Sequence, residues 1–204
     1  MGIANQLTLA RLYLSPVFVL FFALGGRAGY IAALLLAGVF ELTDMLDGYL
    51  ARSKKETSDF GKLLDPLADS VARFSVFLCF LWGGFAELWA VAVLFYRDAI
   101  VAYTRVAAAK AGVVLAARLS GKVKAVVQGL VIMAVLVLIV LASLGEPTAM
   151  ERTKQWTTWL IRLVAAVTLW SGVDYLFSSV PMLRRLMAKS PQSGAQGGPE
   201  PPKI

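Results

Sequence analysis

The chain has 204 residues, of which 58% are hydrophobic, and its mean hydropathy is +0.70. A soluble domain would carry about 45–50% apolar residues, so the composition excludes an ordinary water-soluble globular protein. The net charge of +7 suits contact with anionic lipid or phosphorylated substrates. We therefore expect membrane lipid, and no nucleic acid, among the partners. Because the chain has no histidine, a general base near neutral pH must be a carboxylate, a lysine or a tyrosine.

Hydrophobic runs of about twenty residues, the length at which a helix spans a bilayer, recur along the chain. They occupy residues 7–24, 30–50, 63–82, 86–109, 122–144 and 155–180. A short charged loop is predicted at 52–62, and a loop or short helix at 113–121. We therefore predict an all-α integral membrane protein, a bundle of six transmembrane helices in one domain of residues 1–189. Residues 190–204 are rich in Pro, Gly, Ser and Gln and predict a disordered tail.

The distribution of lysine and arginine between the loops predicts the orientation in the membrane. One side carries Arg11, Arg52, Lys54, Lys55, Lys62, Arg105, Lys110, Arg118, Lys122, Lys124, Arg184, Arg185 and Lys189. The other side carries Arg27, Arg152 and Lys154. Because the positively charged side faces the cytoplasm, we expect both termini there, together with the acidic cluster described next.

Four aspartates form two pairs at the facing ends of the second and third runs. Asp44 and Asp47 are three residues apart, and Asp65 and Asp69 are four apart. On a helix, both spacings put the members of a pair on one face. Four converging anions at the edge of a membrane need a cation among them or must share protons. All-oxygen ligands favour a hard cation, Mg²⁺ first and Mn²⁺ second.

These residues belong to a longer pattern, D-x2-D-G-x2-A-R-x8-G-x3-D-x3-D, which runs from residue 44 to residue 69. The pattern resembles the signature of the CDP-alcohol phosphatidyltransferases at every fixed position. The resemblance implies a multi-pass enzyme of the bacterial inner (cytoplasmic) membrane with its active site on the cytoplasmic side. It also implies transfer of a phosphatidyl group from CDP-diacylglycerol to an alcohol, release of CMP, and a homodimer.

The resemblance assigns roles within the pattern. Asp44, Asp47, Asp65 and Asp69 are expected to bind the metal ion, with Asp69 also serving as the general base for the alcohol. Asp69 lies one helical turn after Asp65, so it can face the same site. The donor nucleotide is expected to contact Gly48, Ala51, Arg52, Ser58 and Gly61.

The acceptor is predicted from the charges at the cytoplasmic ends of the fourth and fifth runs. A dianionic acceptor needs cations beyond those that bind the donor, and the candidates are Arg105, Arg118, Lys122 and Lys124. The segment G-K-x-K-x-x-x-Q at 121–128 resembles that of family members whose acceptor is glycerol 3-phosphate. Ser70 and Asp98 depart from the lysine and glutamate expected at these positions. Inositol phosphate or another head-group alcohol remains the alternative acceptor.

Several charged residues within the apolar runs have more than one interpretation. Arg11 either snorkels to the surface as a positive anchor or binds a lipid or nucleotide phosphate. Arg73, one turn after Asp69, either pairs with that aspartate or reaches a lipid phosphate.

Charges deep in the fourth and sixth runs need partners, because an unpaired charge in the membrane is costly. Arg97 with Asp174, and Asp98 with Arg162, are the predicted structural pairs.

Two other classes of protein also place carboxylates in membranes. Membrane prenyltransferases hold a metal-bound diphosphate with two Asp-rich motifs, but on distant helices. A divalent-cation carrier would place its acids near the middle of the membrane in broken helices, whereas here they lie at one face.

Overall fold

The computed structural model describes residues 3–54, 59–110 and 118–189. Side chains at 3–5, 7, 45–54, 59–66, 110, 147 and 181–189 fall outside this description. Within the described ranges all regular secondary structure is helical. The helices are α1 (Ile3–Leu24), α2 (Gly26–Lys54), α3 (Asp59–Trp82), α4 (Leu88–Lys110), α5 (Leu119–Ala142) and α6 (Pro147–Lys189).

Four of the helices, α1, α2, α3 and α6, extend further than the apolar runs that predicted them. The loop predicted at 52–62 is wrong at both ends, because α2 continues to Lys54 and α3 begins at Asp59. Arginine and lysine are good helix formers, so the end of an apolar run does not end a helix. Residues 55–58, 111–117 and the predicted tail at 190–204 lie outside the described residues.

Helix α6 is the longest element described, with 43 residues. At 1.5 Å per residue its length is about 65 Å, roughly twice the thickness of a bilayer core. It begins at Pro147, a residue that suits the first position of a helix because its missing N–H would have no intrahelical partner.

The helices pack as two groups of three. Helix α1 packs on α2 and α3, and α6 packs on α4 and α5, while α2–α5 and α3–α4 contacts join the groups. The two glycines between α1 and α2 have positive φ angles of 64° and 65°, which allow the tight turn of this hairpin.

An aromatic cluster packs α1, α2 and α3 together near the turn between α1 and α2. The ring of Phe22 on α1 lies 6.0 Å from that of Phe80, 6.3 Å from that of Phe85 and 5.4 Å from that of Tyr30, in edge-to-face contacts. Phe22 and Phe80 are fully buried. Because this cluster fixes the relative rotation of α1, α2 and α3, it also determines which side chains meet at their opposite ends.

Among the described residues, three helices are long and apolar enough to cross a membrane, at Gly26–Asp44, Leu119–Ala142 and Thr148–Val180. A shorter apolar stretch occupies Thr8–Leu24. Large apolar side chains are exposed along these helices, as expected for lipid contact; examples are Leu20, Leu35, Val137, Leu141 and Trp170. The chain is therefore a helical membrane protein.

Candidate active site

Each half of the acidic pattern contributes an aspartate to one site, well inside α2 and α3 rather than at the helix ends. Asp44 and Asp69 face each other there, and their side chains are 36% and 29% exposed. The structure places Asp47, Gly48, Ala51 and Arg52 on α2 and Gly61 and Asp65 on α3, but their side chains are outside the description. Ser58 lies outside the described residues.

Arg11 of α1 connects the two aspartates. Its Nη1 donates a hydrogen bond to Asp69 Oδ1 and lies 3.7 Å from Asp44 Oδ1. Its Nε lies 3.4 Å from Thr43 Oγ1. With a side chain only 2% exposed, Arg11 is not a snorkelling surface anchor, and that interpretation is wrong. One buried guanidinium thus serves both carboxylates.

Arg73 of α3 connects Asp44 of α2 to α5. Its Nη2 lies 3.3 Å from Asp44 Oδ2, and its Nη1 donates a 3.0 Å hydrogen bond to the carbonyl oxygen of Ala125 on α5. The ion pair predicted between Arg73 and Asp69 is not the one found, because α3 turns Arg73 toward α2 and α5. Asp44 is therefore held by two arginines from two different helices.

A cleft opens beside these charges. Its polar lining is formed by Arg11, Glu41, Asp44, Asp69 and Arg73, and its apolar lining by Ala37, Phe40, Ala72, Val76 and Ile132. The exposed fractions of Asp44 and Asp69 are therefore accessible to a ligand that enters the cleft.

Glu41 is a further acidic residue of this cleft that the sequence analysis missed. It lies three residues before Asp44, the spacing that puts two side chains on one face of a helix. Its carboxylate packs against Gly129 of α5, where an added Cβ would lie 2.6 Å from Glu41 Oε2. Glycine at 129 thus leaves room for the acidic side chain.

Asp44 and Asp69 supply only part of the metal-ligand set that the sequence predicts. Two carboxylates from adjacent helices lie close enough to share a single cationic nitrogen of Arg11, and all of their ligand atoms are oxygens. Among the described residues no group of three or more acidic or thiol side chains is clustered as a metal site. Asp47 and Asp65, which would complete the predicted set of four, have side chains outside the description.

A second charged cluster joins α4 to α5 and α6. Lys124 Nζ donates to Asp98 Oδ1 and Oδ2 at 2.7 and 2.8 Å. Arg97 Nη1 lies 2.9 Å from Asp98 Oδ1, and its Nη2 donates to Ser171 Oγ at 2.8 Å. A Cβ at Gly172 would lie 3.0 Å from Arg97 Cγ, so this glycine admits the arginine stem between α4 and α6.

The ion pairs predicted for these charges are wrong. Arg97 pairs with its own neighbour Asp98 rather than with Asp174, and Arg162 pairs with Glu87 rather than with Asp98. Asp174 instead lies 3.3 Å from Arg118 Nε. Which charges meet depends on the rotation of each helix about its axis and on its position along the bundle. The boundaries of the apolar runs give neither quantity.

The four predicted acceptor residues differ in environment. Lys124 is buried in its pair with Asp98, and Arg118 is half-buried beside Asp174. Arg105 is exposed and lies over the Tyr175 ring, 5.9 Å from its centroid. Lys122 is exposed. The structure thus places all four on α4 or at the start of α5, with two engaged in ion pairs.

A third polar group lies beyond the turn that joins α3 to α4. Arg162 of α6 donates two hydrogen bonds to Glu87, at 2.8 and 2.7 Å, and stacks on the Trp159 ring at 4.5 Å. The hydrogen bonds from Arg162 lower the pKa of Glu87 below its ordinary value of 4.5. This group joins the residue that precedes α4 to α6.

The fold and site define a helical membrane protein with a cleft that is lined by acidic and basic side chains. The sequence model of the CDP-alcohol phosphatidyltransferase family matches residues 1–170. The chain belongs to this family and is therefore a phosphatidyltransferase.

Individual relatives agree with this assignment. The chain is 31% identical to a Pseudomonas fluorescens protein named CDP-diacylglycerol--glycerol-3-phosphate 3-phosphatidyltransferase over 193 residues, 90% of this chain and 93% of the relative. Proteins of the same name are 31% identical in Treponema pallidum, over 81% of this chain and 77% of the relative, and in Bacillus subtilis, over 66% and 76%. The prenyltransferase and carrier hypotheses gain no support from these comparisons.

Proposed function

We propose that the protein transfers the phosphatidyl group of CDP-diacylglycerol to glycerol 3-phosphate, giving phosphatidylglycerophosphate and CMP. The observation that carries the proposal is the convergence of Asp44 and Asp69, from the two halves of the acidic pattern, on one cationic group beside an open cleft. The names of the relatives favour glycerol 3-phosphate as the acceptor.

Asp44, Asp47, Asp65 and Asp69 would hold Mg²⁺, with Mn²⁺ as the second choice. When bound, the ion would neutralise the diphosphate of the donor and stabilise the charge that develops on the CMP leaving group. Arg52 is suited to grip a donor phosphate with two parallel hydrogen bonds, and Gly48, Ala51, Ser58 and Gly61 complete the proposed donor surface.

Asp69 is the proposed general base. It would accept the proton of the acceptor hydroxyl as that oxygen attacks the lipid-side phosphorus in line with the departing CMP. The hydrogen bond from Arg11 to Oδ1 orients the carboxylate of Asp69. The side chain of Asp69 is 29% exposed and is therefore accessible from the cleft. No covalent enzyme intermediate is needed.

The four candidate acceptor residues would divide their roles. Lys122 and Arg105 are exposed and can meet the phosphate of glycerol 3-phosphate directly. Lys124 and Arg118 already have carboxylate partners, so they would position α5 against α4 and α6 and add positive potential.

A six-span topology with both termini in the cytoplasm is part of the proposal. Composition alone does not mark α3 or α4 as spans within the described residues. In α4, however, Arg97 and Asp98 neutralise each other and Asp98 also pairs with Lys124. Charges that are paired inside a bundle are tolerated in a membrane, so this helix can still cross.

We also propose a homodimer in the bacterial inner membrane, on the family resemblance.

The proposed reaction is tested with the full-length protein in detergent micelles, by following CMP release from CDP-diacylglycerol. Glycerol 3-phosphate should support release and inositol phosphate should not. Asp69→Asn should abolish turnover while retaining CDP-diacylglycerol binding. Product from inositol phosphate alone would show that the acceptor is wrong, and equal loss of binding and turnover in Asp69→Asn would contradict the base assignment.

A further inference from the structure

Arg11 has an unusual position for a cation next to a candidate metal site. It reaches the aspartates from α1, outside the acidic pattern, and its side chain is 2% exposed. The carboxylates that it contacts are about a third exposed and face the cleft. The guanidinium is therefore the buried part of the cleft lining, and the carboxylates are its more exposed part.

Without a counter-cation, Asp44 of α2 and Asp69 of α3 would repel each other. Arg11 removes that repulsion, because its Nη1 is shared between Asp69 Oδ1 and Asp44 Oδ1. A divalent ion binds these carboxylates less tightly while the guanidinium remains in place, because the guanidinium already neutralises their charge. The two cations therefore compete.

We propose that Arg11 is an internal counter-cation that holds Asp44 and Asp69 together in the metal-free protein and is displaced by the divalent ion. Arg11 thereby weakens metal binding to the free protein. The inference rests on the proposed function for the identity of the metal and of the diphosphate substrate.

A guanidinium that moves away from Asp44 and Asp69 stays buried in this cleft, where an anion of the substrate would stabilise it. A diphosphate can supply the anion, and guanidinium groups bind phosphate oxygens in a planar, two-bonded geometry. Arg73 cannot substitute as readily, because its Nη1 is bound to Ala125 O on α5. Metal and diphosphate binding are thus coupled through Arg11, so that tight metal binding is confined to the complex with substrate.

The test is Mn²⁺ binding to full-length Arg11→Met in detergent micelles without nucleotide, measured from the electron paramagnetic resonance of free Mn²⁺. We expect Arg11→Met to bind Mn²⁺ about fivefold or more tightly than the wild type, the lower end of typical coupling between sites. The midpoint of thermal unfolding should fall in EDTA and rise further on addition of Mn²⁺ than it does in the wild type. Arg27→Met is the matched control, because Arg27 is an exposed arginine at the turn end of α2, and it should change neither quantity.

Arg11→Lys provides a second variant that keeps a positive charge. The lysine ammonium is a compact point charge that would still compete with a metal ion for the carboxylates. Its Mn²⁺ affinity should therefore shift in the same direction by a smaller factor. If Arg11→Met cannot be purified, the Arg11→Lys measurement decides the question alone.

Mn²⁺ binding that is unchanged or weaker in these variants would overturn the proposal, because it would show that Arg11 supports the metal ligands instead of competing with the metal. If Arg11 had only a structural role, Arg11→Met would lower the midpoint of thermal unfolding without tightening Mn²⁺ binding. Failure of the proposed function is distinguishable: a wild type that binds Mn²⁺ with this Arg11 dependence but releases no CMP would refute the transfer reaction alone. If neither the wild type nor Arg11→Met binds Mn²⁺, with or without CDP-diacylglycerol, the inference and the metal site are overturned together.

Discussion

Replacing Asp98 with asparagine removes an anion that serves two cations between α4 and α5. Lys124 donates two hydrogen bonds to Asp98, and Arg97 lies 2.9 Å from the same carboxylate. The side chains are 24% exposed for Asp98, 7% for Lys124 and 12% for Arg97. Because Asp98→Asn leaves two buried cations without a counter-charge, we expect a loss of about 3 kcal/mol in the free energy of unfolding, the low end of the range for broken buried pairs.

Replacing the cation Lys124 instead of the anion Asp98 should lower the free energy of unfolding by less. In Lys124→Met the carboxylate of Asp98 keeps Arg97, so one charge pair survives. We expect a loss of about 1–2 kcal/mol, the size of one unmet charged hydrogen-bonding group. The double variant should lose less than the sum of the single variants, because each single change removes part of the same network.

Unfolding of the purified protein in mixed micelles, with sodium dodecyl sulfate as denaturant, measures these differences. Lys122→Met is the matched control, because it removes an exposed lysine two residues away on the same helix. A Lys124→Met loss equal to or larger than the Asp98→Asn loss, or strictly additive effects in the double variant, would refute the reasoning.

Three further predictions concern other parts of the molecule. Gly29→Ala would place a Cβ 2.6 Å from a carbonyl oxygen of α1, so it should destabilise the hairpin by about 1–3 kcal/mol in the same unfolding assay, while Gly38→Ala, with its nearest neighbour at 3.9 Å, should not. Because Arg162 lowers the pKa of Glu87, that carboxylate stabilises the fold above its ordinary pKa of 4.5 and ceases to do so as the pH falls through its lowered value. The unfolding midpoint of the wild type should thus exceed that of Glu87→Gln at pH 7 and approach it in acid; a difference that is constant with pH would contradict the assignment. Lys122→Ala should raise the KM for glycerol 3-phosphate more than that for CDP-diacylglycerol, and the reverse order would move Lys122 to the donor site.

The sequence predicted the parts of the fold that depend on local pattern. Apolar runs located the helices in chain order, and the acidic pattern anticipated that Asp44 and Asp69 would lie at one site. The runs failed at helix ends, because charged residues such as Arg52 and Lys54 continue a helix as readily as apolar ones.

The ion pairs could not be predicted from the sequence because they depend on three-dimensional packing. Arg11 is buried against the aspartates because α1 packs against both α2 and α3, a contact that no local pattern encodes. Glu87 was overlooked because no local pattern links it to Arg162, which lies 75 residues later. Glu41 had a recognisable signal, its three-residue spacing from Asp44, which places it beside the cleft.

The central claim is that carboxylates of α2 and α3 bind a divalent ion beneath the diphosphate of the donor. The most direct test is anomalous X-ray diffraction from crystals of the full-length protein grown with Mn²⁺ and CDP-diacylglycerol. The account predicts an anomalous peak coordinated by oxygens of Asp44, Asp47, Asp65 and Asp69 and in contact with the diphosphate. A peak elsewhere, or a bound donor with no anomalous peak among these aspartates, would contradict it.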